Sequence, residues 1–278
     1  MNKIDRLYIV VTNNCNLRCT FCYVYNGNTK IKTFNFSKLK NLLKQKIKIK
    51  QFVLIGGEPL LNSSNIKSLI RHIRHYYKKS EIIITTNGLL LEKQLFDFLI
   101  KSKVIIQVTI YSISTFYHLL EKNIDISKIF FHITITKDLI TNEKILNIFK
   151  IYEVNFWFSI DRRIDIDISD FLISNIIKGN IKINNFRSTI SAGKYCNGIY
   201  GTQYVLNGNA LENKCLNLIS YNLNKTISKS CINCNNLFCD ACICEGIHLH
   251  REIICTIFKK IELYYKTIEG DKKYDKLK

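Results

Sequence analysis

Six short runs dense in Ile, Val, Phe and Thr recur through the first two thirds of the chain, at residues 7–12, 52–55, 82–86, 104–111, 130–136 and 154–160. Each is nearly continuous in apolar character, which predicts strands covered on both faces. Between the runs, apolar residues recur at helical spacing. Leu39, Leu42, Leu43 and Ile47 share a face after Ser37, read as the cap. Ile66, Leu69, Ile70 and Ile73 share another, after Asn62, Ser63 and Ser64. Leu91, Leu95, Phe98 and Leu99 make a third stripe, and Ile145, Ile148 and Phe149 a fourth. Shorter helices are predicted over 115–121 and 170–177. A strand–helix unit repeated six times implies an α/β fold with a parallel sheet and right-handed crossovers. Six units are too few for the eight-stranded barrel, so the expected architecture is an open, partial (β/α)6 barrel.

The chain's 278 residues can bury one large or two modest cores, and 47% hydrophobic with 23% charged residues is an ordinary globular balance. The N-terminus lacks the basic–apolar–small pattern of a secretory signal, and no apolar run is long enough to cross a bilayer. The expected location is the cytoplasm, with no membrane partner. The net charge of +19 invites a nucleic-acid reading. The lysines, however, are spread over helix faces rather than gathered in a stripe. Lys, Ile, Asn, Tyr and Phe crowd the sequence while Pro and Met occur once each, as AT-rich coding would produce. A solvated basic surface, useful toward an acidic peptide, is the preferred reading.

Eleven cysteines in a chain read as cytoplasmic point to metal or cluster ligation rather than disulfides. They are not scattered as core cysteines would be. Cys15, Cys19 and Cys22 follow the first strand; the other eight lie at 196–255. Three thiolates on one loop can hold three irons of a cubane cluster and leave the fourth iron without a protein ligand. Zinc instead takes four ligands, commonly in paired two-residue spacings, and no histidine is nearby. The next strand ends in Gly56, Gly57, Glu58 and Pro59, the last being the chain's only proline. Thr86, Asn87 and Gly88 follow the third strand, and Thr109 to Ser112 close the fourth. All four segments fall at C-terminal strand ends, where parallel barrels gather their chemistry.

The Cys-x3-Cys-x2-Cys loop followed by Gly-Gly-Glu-Pro resembles the radical S-adenosylmethionine (SAM) superfamily over about residues 7–160. The resemblance implies a 4Fe–4S cluster on Cys15, Cys19 and Cys22 whose open iron chelates SAM. It places Phe21 near the adenine, assigns Gly56, Gly57, Glu58 and Pro59 to the SAM ammonium group, and implicates Asn87, Thr109 and Ser112 in cofactor binding. The later arginine contact of this superfamily is not recognisable after Ser114. The implied chemistry is reductive cleavage of SAM and hydrogen-atom abstraction from a substrate, with the protein supplying orientation.

The remaining cysteines, Cys196, Cys215, Cys231, Cys234, Cys239, Cys242, Cys244 and Cys255, with Gly208 between the first two, resemble the SPASM extension, which holds two auxiliary 4Fe–4S clusters. By order, Cys196, Cys215 and either Cys242 or Cys244 would hold the nearer cluster; Cys231, Cys234, Cys239 and Cys255 would hold the farther. The gaps depart from the family's spacing, and one cysteine is surplus. A zinc tetrathiolate on Cys231, Cys234, Cys239 and Cys242 is the rival. The expected domains are a barrel over 1–185, an auxiliary iron–sulfur domain over 186–260 and a charged tail over 261–278, read as disordered from about Lys266.

Relatives with this pair of features mostly modify ribosomally made peptides, forming thioethers, carbon–carbon crosslinks or epimerised residues. The expected function is peptide maturation. The alternatives are a sulfatase-type formylglycine maturase, a small-molecule radical SAM enzyme, or a non-catalytic zinc module. Expected partners are a peptide or protein substrate, an electron donor such as flavodoxin or ferredoxin, and a separate leader-recognition protein, because the first strand starts near Leu7 and leaves no room for such a domain. Among other groups, His72 and His75 are read as surface residues and His132 as core. His118, Asp161 and Asp165 are read as weak substrate-side candidates, and His248 and His250 as spare ligands.

Overall fold

The computed structural model describes residues 3–20, 22, 32–45, 47–110, 112–137, 139, 143–161, 163–182, 185, 203–212 and 250–269. The chain divides into two compact units. One comprises Met1–Phe131 with Asn197–Lys225, the other His132–Cys196 with Thr226–Lys278. The fold is mixed α/β, built on a largely parallel sheet, as the repeated strand–helix units require.

The first unit holds β1 (Lys3–Thr12), β2 (Lys48–Gly56), β3 (Glu81–Thr86), β4 (Val104–Ile110) and the start of β5 (Ile129–Ile135), in the order β5-β4-β3-β2-β1. β1 pairs parallel with β2, with Leu7 opposite Phe52 and Ile9 opposite Leu54, and the register slips between Val10 and Thr12 so that Thr12 meets Gly56. β2 with β3 and β3 with β4 are also parallel. Beyond β1 lie β7 (Gln203–Asn207), parallel to β1, and β8 (Ala210–Glu212), antiparallel to β7. This hairpin was not legible in the sequence. Its five-residue core, Gln-Tyr-Val-Leu-Asn, sits in a glycine-rich stretch with no neighbouring apolar run.

The expectation of strands sealed on both faces holds only where β1 and β2 end. Val10, Val11, Val53, Leu54 and Ile55 are buried in succession. β3 and β4 alternate instead. Ile82, Ile84, Ile106 and Val108 are sealed, while Ile83, Thr85, Gln107 and Thr109 are half-buried on the other face. One face packs as core and the other is left partly open.

The helices of this unit are α1 (Phe36–Lys44), α2 (Ser63–Tyr76), α3 (Lys93–Lys101) and α4 (Ile113–Glu121). α1 begins two residues earlier than expected. Asn35, not Ser37, is its cap, with extended backbone and a side-chain oxygen accepting from Lys38 N–H at 3.0 Å. On α3 the buried aromatic is Phe96 rather than Phe98. Phe98 is half-buried instead, with Lys67 and Arg71 of α2 over its ring, and the Arg71 Cζ lies 5.4 Å from the centroid.

The second unit continues β5 and adds β6 (Phe156–Ile160), α5 (Lys144–Ile151), α6 (Ser169–Ile177) and α7 (Arg251–Glu269). On α5 the stripe is Ile145, Leu146 and Phe149, with Leu146 in the place expected of Ile148. α7 runs past Lys266 to Glu269, so the charged segment begins as helix. Its Ile254, Ile257, Phe258 and Ile261 are buried, and Lys260 bonds Asp167 at 2.6 Å.

Candidate active site

β1 delivers the chain into the cysteine loop, and three kinds of contact hold that loop. Gly57 N–H donates to Thr12 O and Glu58 N–H to Asn14 O, each at 2.8 Å, so the ends of β1 and β2 are tied backbone to backbone. This approach is possible only with glycine. A Cβ on Gly56 would meet Thr12 O at 2.0 Å, and one on Gly57 would meet Asn14 O at 2.2 Å. Asn14 N–H also donates to the Thr12 hydroxyl at 3.1 Å, and Cys22 N–H to Cys19 O at 3.1 Å. Cys22 then packs against the apolar cluster of Val10, Val53, Ile55 and Val205, which secures the far end of the loop.

Cys15, Cys19 and Cys22 are all half-buried thiols. Cys15 and Cys22 lie near enough to Cys19 to oppose its ionisation. Burial, then the neighbouring Cys22 and Cys15, pushes the Cys19 thiol up to about 11. Burial also raises Cys15, helped by the charge of Glu58. Thiols that resist ionisation, as Cys15 and Cys19 do, need a cation to become thiolates, and metal uptake must expel their protons. Among the described residues, no three His, Cys, Asp or Glu side chains close on a single ion. The donor set is three soft sulfurs on one partly open loop, which suits a cluster taking one thiolate per iron.

Glu58 is fully buried, and the protein itself satisfies its carboxylate. Leu60 N–H and the Thr86 hydroxyl donate to Oε1 at 2.9 and 2.7 Å, and Asn87 N–H donates to Oε2 at 2.7 Å. Burial nevertheless raises its pKa above the usual carboxylate range. Pro59 opens the short 3-10 turn Pro59–Asn62, which Glu58 caps. The carboxylate therefore joins the ends of β2 and β3.

Asn87 completes the tie. Its Oδ1 accepts from Leu89 N–H at 3.1 Å, which turns Nδ2 to the loop. There it donates to Asn16 Oδ1 at 2.8 Å and points at Cys15 Sγ at 3.9 Å. Leu17 N–H donates to the same sulfur at 3.4 Å. Cys15, Glu58 and Asn87 are thus brought together. Thr109 lies half-buried near the end of β4, and Ser112 precedes α4 with its hydroxyl 2.6 Å from that of Ser114.

The sequence does not single out Thr12, Asn14 or Asn16 as site residues, and it marks Thr86 only as part of the segment that ends the third strand. Asn16 lies inside the three-residue gap of the cysteine motif, which was its only available signal. Phe21 and the cysteines at 196, 215, 231, 234, 239, 242 and 244 lie outside the described residues, as does His248. Cys255 is half-buried on α7. The weaker candidates are engaged elsewhere. His118 Nε2 lies 3.1 Å from Leu89 O, Asp161 pairs with Arg163 at 2.8 Å, and Asp165 pairs with Lys137 at 2.5 Å. His132 stacks on Trp157 with centroids 3.9 Å apart, bonds the Ser159 hydroxyl at 3.0 Å, and is driven down to about 3 by burial.

Residues 9–157 match the Radical SAM superfamily. The chain is 38% identical to the GTP 3',8-cyclase of Clostridium perfringens over 94 residues, 32% of this chain and 29% of that protein. The corresponding enzyme of Chlorobaculum tepidum is 38% identical over 95 residues, 33% and 28% of the two chains. The chain thus spans less than a third of the length of these curated relatives. Among solved structures, native anSMEcpe with bound AdoMet and Cp18Cys peptide superposes with a TM-score of 0.62 at 16% identity, over 94% of this chain and 96% of that one. The same protein with AdoMet alone gives 0.63 at 15% identity over the same shares.

Proposed function

Because this chain belongs to the radical SAM superfamily, we propose that it is an enzyme that cleaves SAM reductively and abstracts a hydrogen atom from a ribosomally made peptide. Cys15, Cys19 and Cys22 hold the SAM-binding 4Fe–4S cluster. When bound, that cluster supplies the electron that breaks the sulfonium carbon–sulfur bond. The chain's own residues hold the geometry. Gly56 and Gly57 let the cysteine loop lie on the end of β2, while Glu58 locks the ends of β2 and β3. Because protein donors occupy the Glu58 carboxylate, its part is to fix the backbone that faces SAM. Phe21, Pro59, Asn87, Thr109 and Ser112 complete the cofactor side.

Breadth of likeness supports the peptide reading. The fold is shared over nearly all of both chains with a protein that binds peptide, whereas likeness to the GTP 3',8-cyclases spans under a third of theirs. The strongly basic charge suits an acidic leader, read directly or through a separate recognition protein. The C-terminal cysteines, Cys255 included, belong to a SPASM-like domain with two auxiliary clusters, and flavodoxin or ferredoxin supplies electrons. Among the described residues no helix is long and apolar enough to cross a membrane.

The small-molecule reading is favoured by the 38% identity to GTP 3',8-cyclases. An anaerobic assay separates the two. With reductant and SAM present, peptides encoded beside the gene should stimulate 5'-deoxyadenosine release and change in mass, and GTP should do neither. Stimulation by GTP with no response to peptide would overturn the peptide reading.

A further inference from the structure

The cysteine loop is gripped from the third strand by one amide side chain, and one of that side chain's hydrogens faces a sulfur. Glu58 Oε2 fixes the Asn87 backbone at 2.7 Å, and Leu89 N–H occupies Asn87 Oδ1 at 3.1 Å. Both constraints leave Nδ2 with one direction, toward Asn16 Oδ1 at 2.8 Å and Cys15 Sγ at 3.9 Å. With Leu17 N–H at 3.4 Å, the Cys15 sulfur is faced by two neutral donors.

We propose that Asn87 is a positioning residue that sets the reduction potential of the cluster held by Cys15, Cys19 and Cys22, by directing an N–H at the Cys15 sulfur. The inference rests on the cluster reading above. Adding an electron to a thiolate-bound cluster raises the negative charge on its sulfurs. Donors aimed at those sulfurs therefore favour the reduced state, and hydrogen bonding to sulfur is one of the protein's means of adjusting such potentials.

Asn87→Asp is the discriminating change. It keeps the acceptor for Leu89 N–H, removes both donated bonds and adds negative charge beside Cys15. In the full chain, reconstituted anaerobically, the cluster is identified by the electron-spin signal that changes on adding SAM, and its potential is titrated. Asn87→Asp should lower the reduced-to-oxidised ratio at fixed potential about tenfold, which is about 59 mV for one electron. Asn87→Ala should lower it by less. Asn16→Ala removes the loop contact but leaves the sulfur's donor, and should keep the wild-type potential. The proposal is overturned if Asn87→Asp titrates like wild type, or if Asn16→Ala shifts as far as Asn87→Asp. Loss of the cluster from both Asn87 variants with thermal unfolding unchanged would also overturn it, by making Asn87 a requirement for loading. If wild-type protein yields no SAM-responsive signal, the cluster reading itself fails, and this inference with it.

Discussion

Glu58 is the residue on which the ends of two strands depend. A fully buried carboxylate taking three protein hydrogen bonds is stable only while all three donors stay in place. In Glu58→Gln the amide can still accept from Leu60 and Thr86, but its NH2 then confronts Asn87 N–H. We expect a loss of about 1–3 kcal/mol, read as a lower urea midpoint of the metal-free protein. The pH dependence has a definite sign. The folded-state pKa of Glu58 is raised, chiefly by burial. The folded protein therefore holds this proton more tightly than the unfolded chain, and the associated stability is complete below the ordinary glutamate value and drains away as pH climbs through the raised one. Glu58→Gln has no such proton. The stability gap between wild type and variant should narrow as pH rises above the ordinary carboxylate range, and a gap that widened would contradict this. From sequence, Glu58 could be placed at a strand end, but its burial and its bonds to Thr86 and Asn87 could not be seen. Those partners lie 28 and 29 residues away, and only the β2–β3 pairing brings them near.

At the scale of elements, most strands and helices were legible because the strands are short, nearly continuous runs of Ile, Val and Phe and the helices carry apolar residues at a period near 3.6. The errors occurred where periodicity is blind. Phe96 and Phe98 both fit a helical stripe, and the cations of α2 claim Phe98. Asn35 and Ser37 are both good caps, and the backbone turns into helix after the first. The resemblance assigns Gly56 and Gly57 to the SAM ammonium group, and periodicity does not show that their tightest neighbours are the backbone of β1 and its loop. Gly57→Ala should push the loop off the end of β2, with a cost of about 1–3 kcal/mol and a fall in iron uptake. Gly179, after α6, makes the contrast. Its φ is +71°, yet a Cβ there would meet only the tip of Lys150. Gly179→Ala should cost about 1–2 kcal/mol from backbone strain alone and leave iron uptake unchanged. Iron assay beside thermal unfolding distinguishes the pair, and equal iron loss in both would show that Gly57 has no special hold on the loop.

At the scale of the molecule, charge and cysteine content make separate demands. With a net charge of +19, affinity for an acidic peptide should fall several-fold as added salt shortens the screening length from about 10 Å to about 3 Å. Titration at two salt concentrations tests this, and salt-independent binding would remove charge as the basis of recognition. Full reconstitution should bring about twelve irons per chain if two auxiliary clusters form, against about four if only the N-terminal thiols are occupied. The sequence made the first number thinkable by counting cysteines, but their pairing depends on tertiary placement that spacing does not encode. The most direct measurement is release of 5'-deoxyadenosine from SAM by the anaerobic, iron-loaded, dithionite-reduced full chain. The wild type should release it, and Cys15→Ala, Cys19→Ala and Cys22→Ala should each abolish release while keeping any C-terminal iron. Release that survives all three substitutions, or none from a wild type carrying its full iron, would contradict the assignment of this loop as the seat of the chemistry.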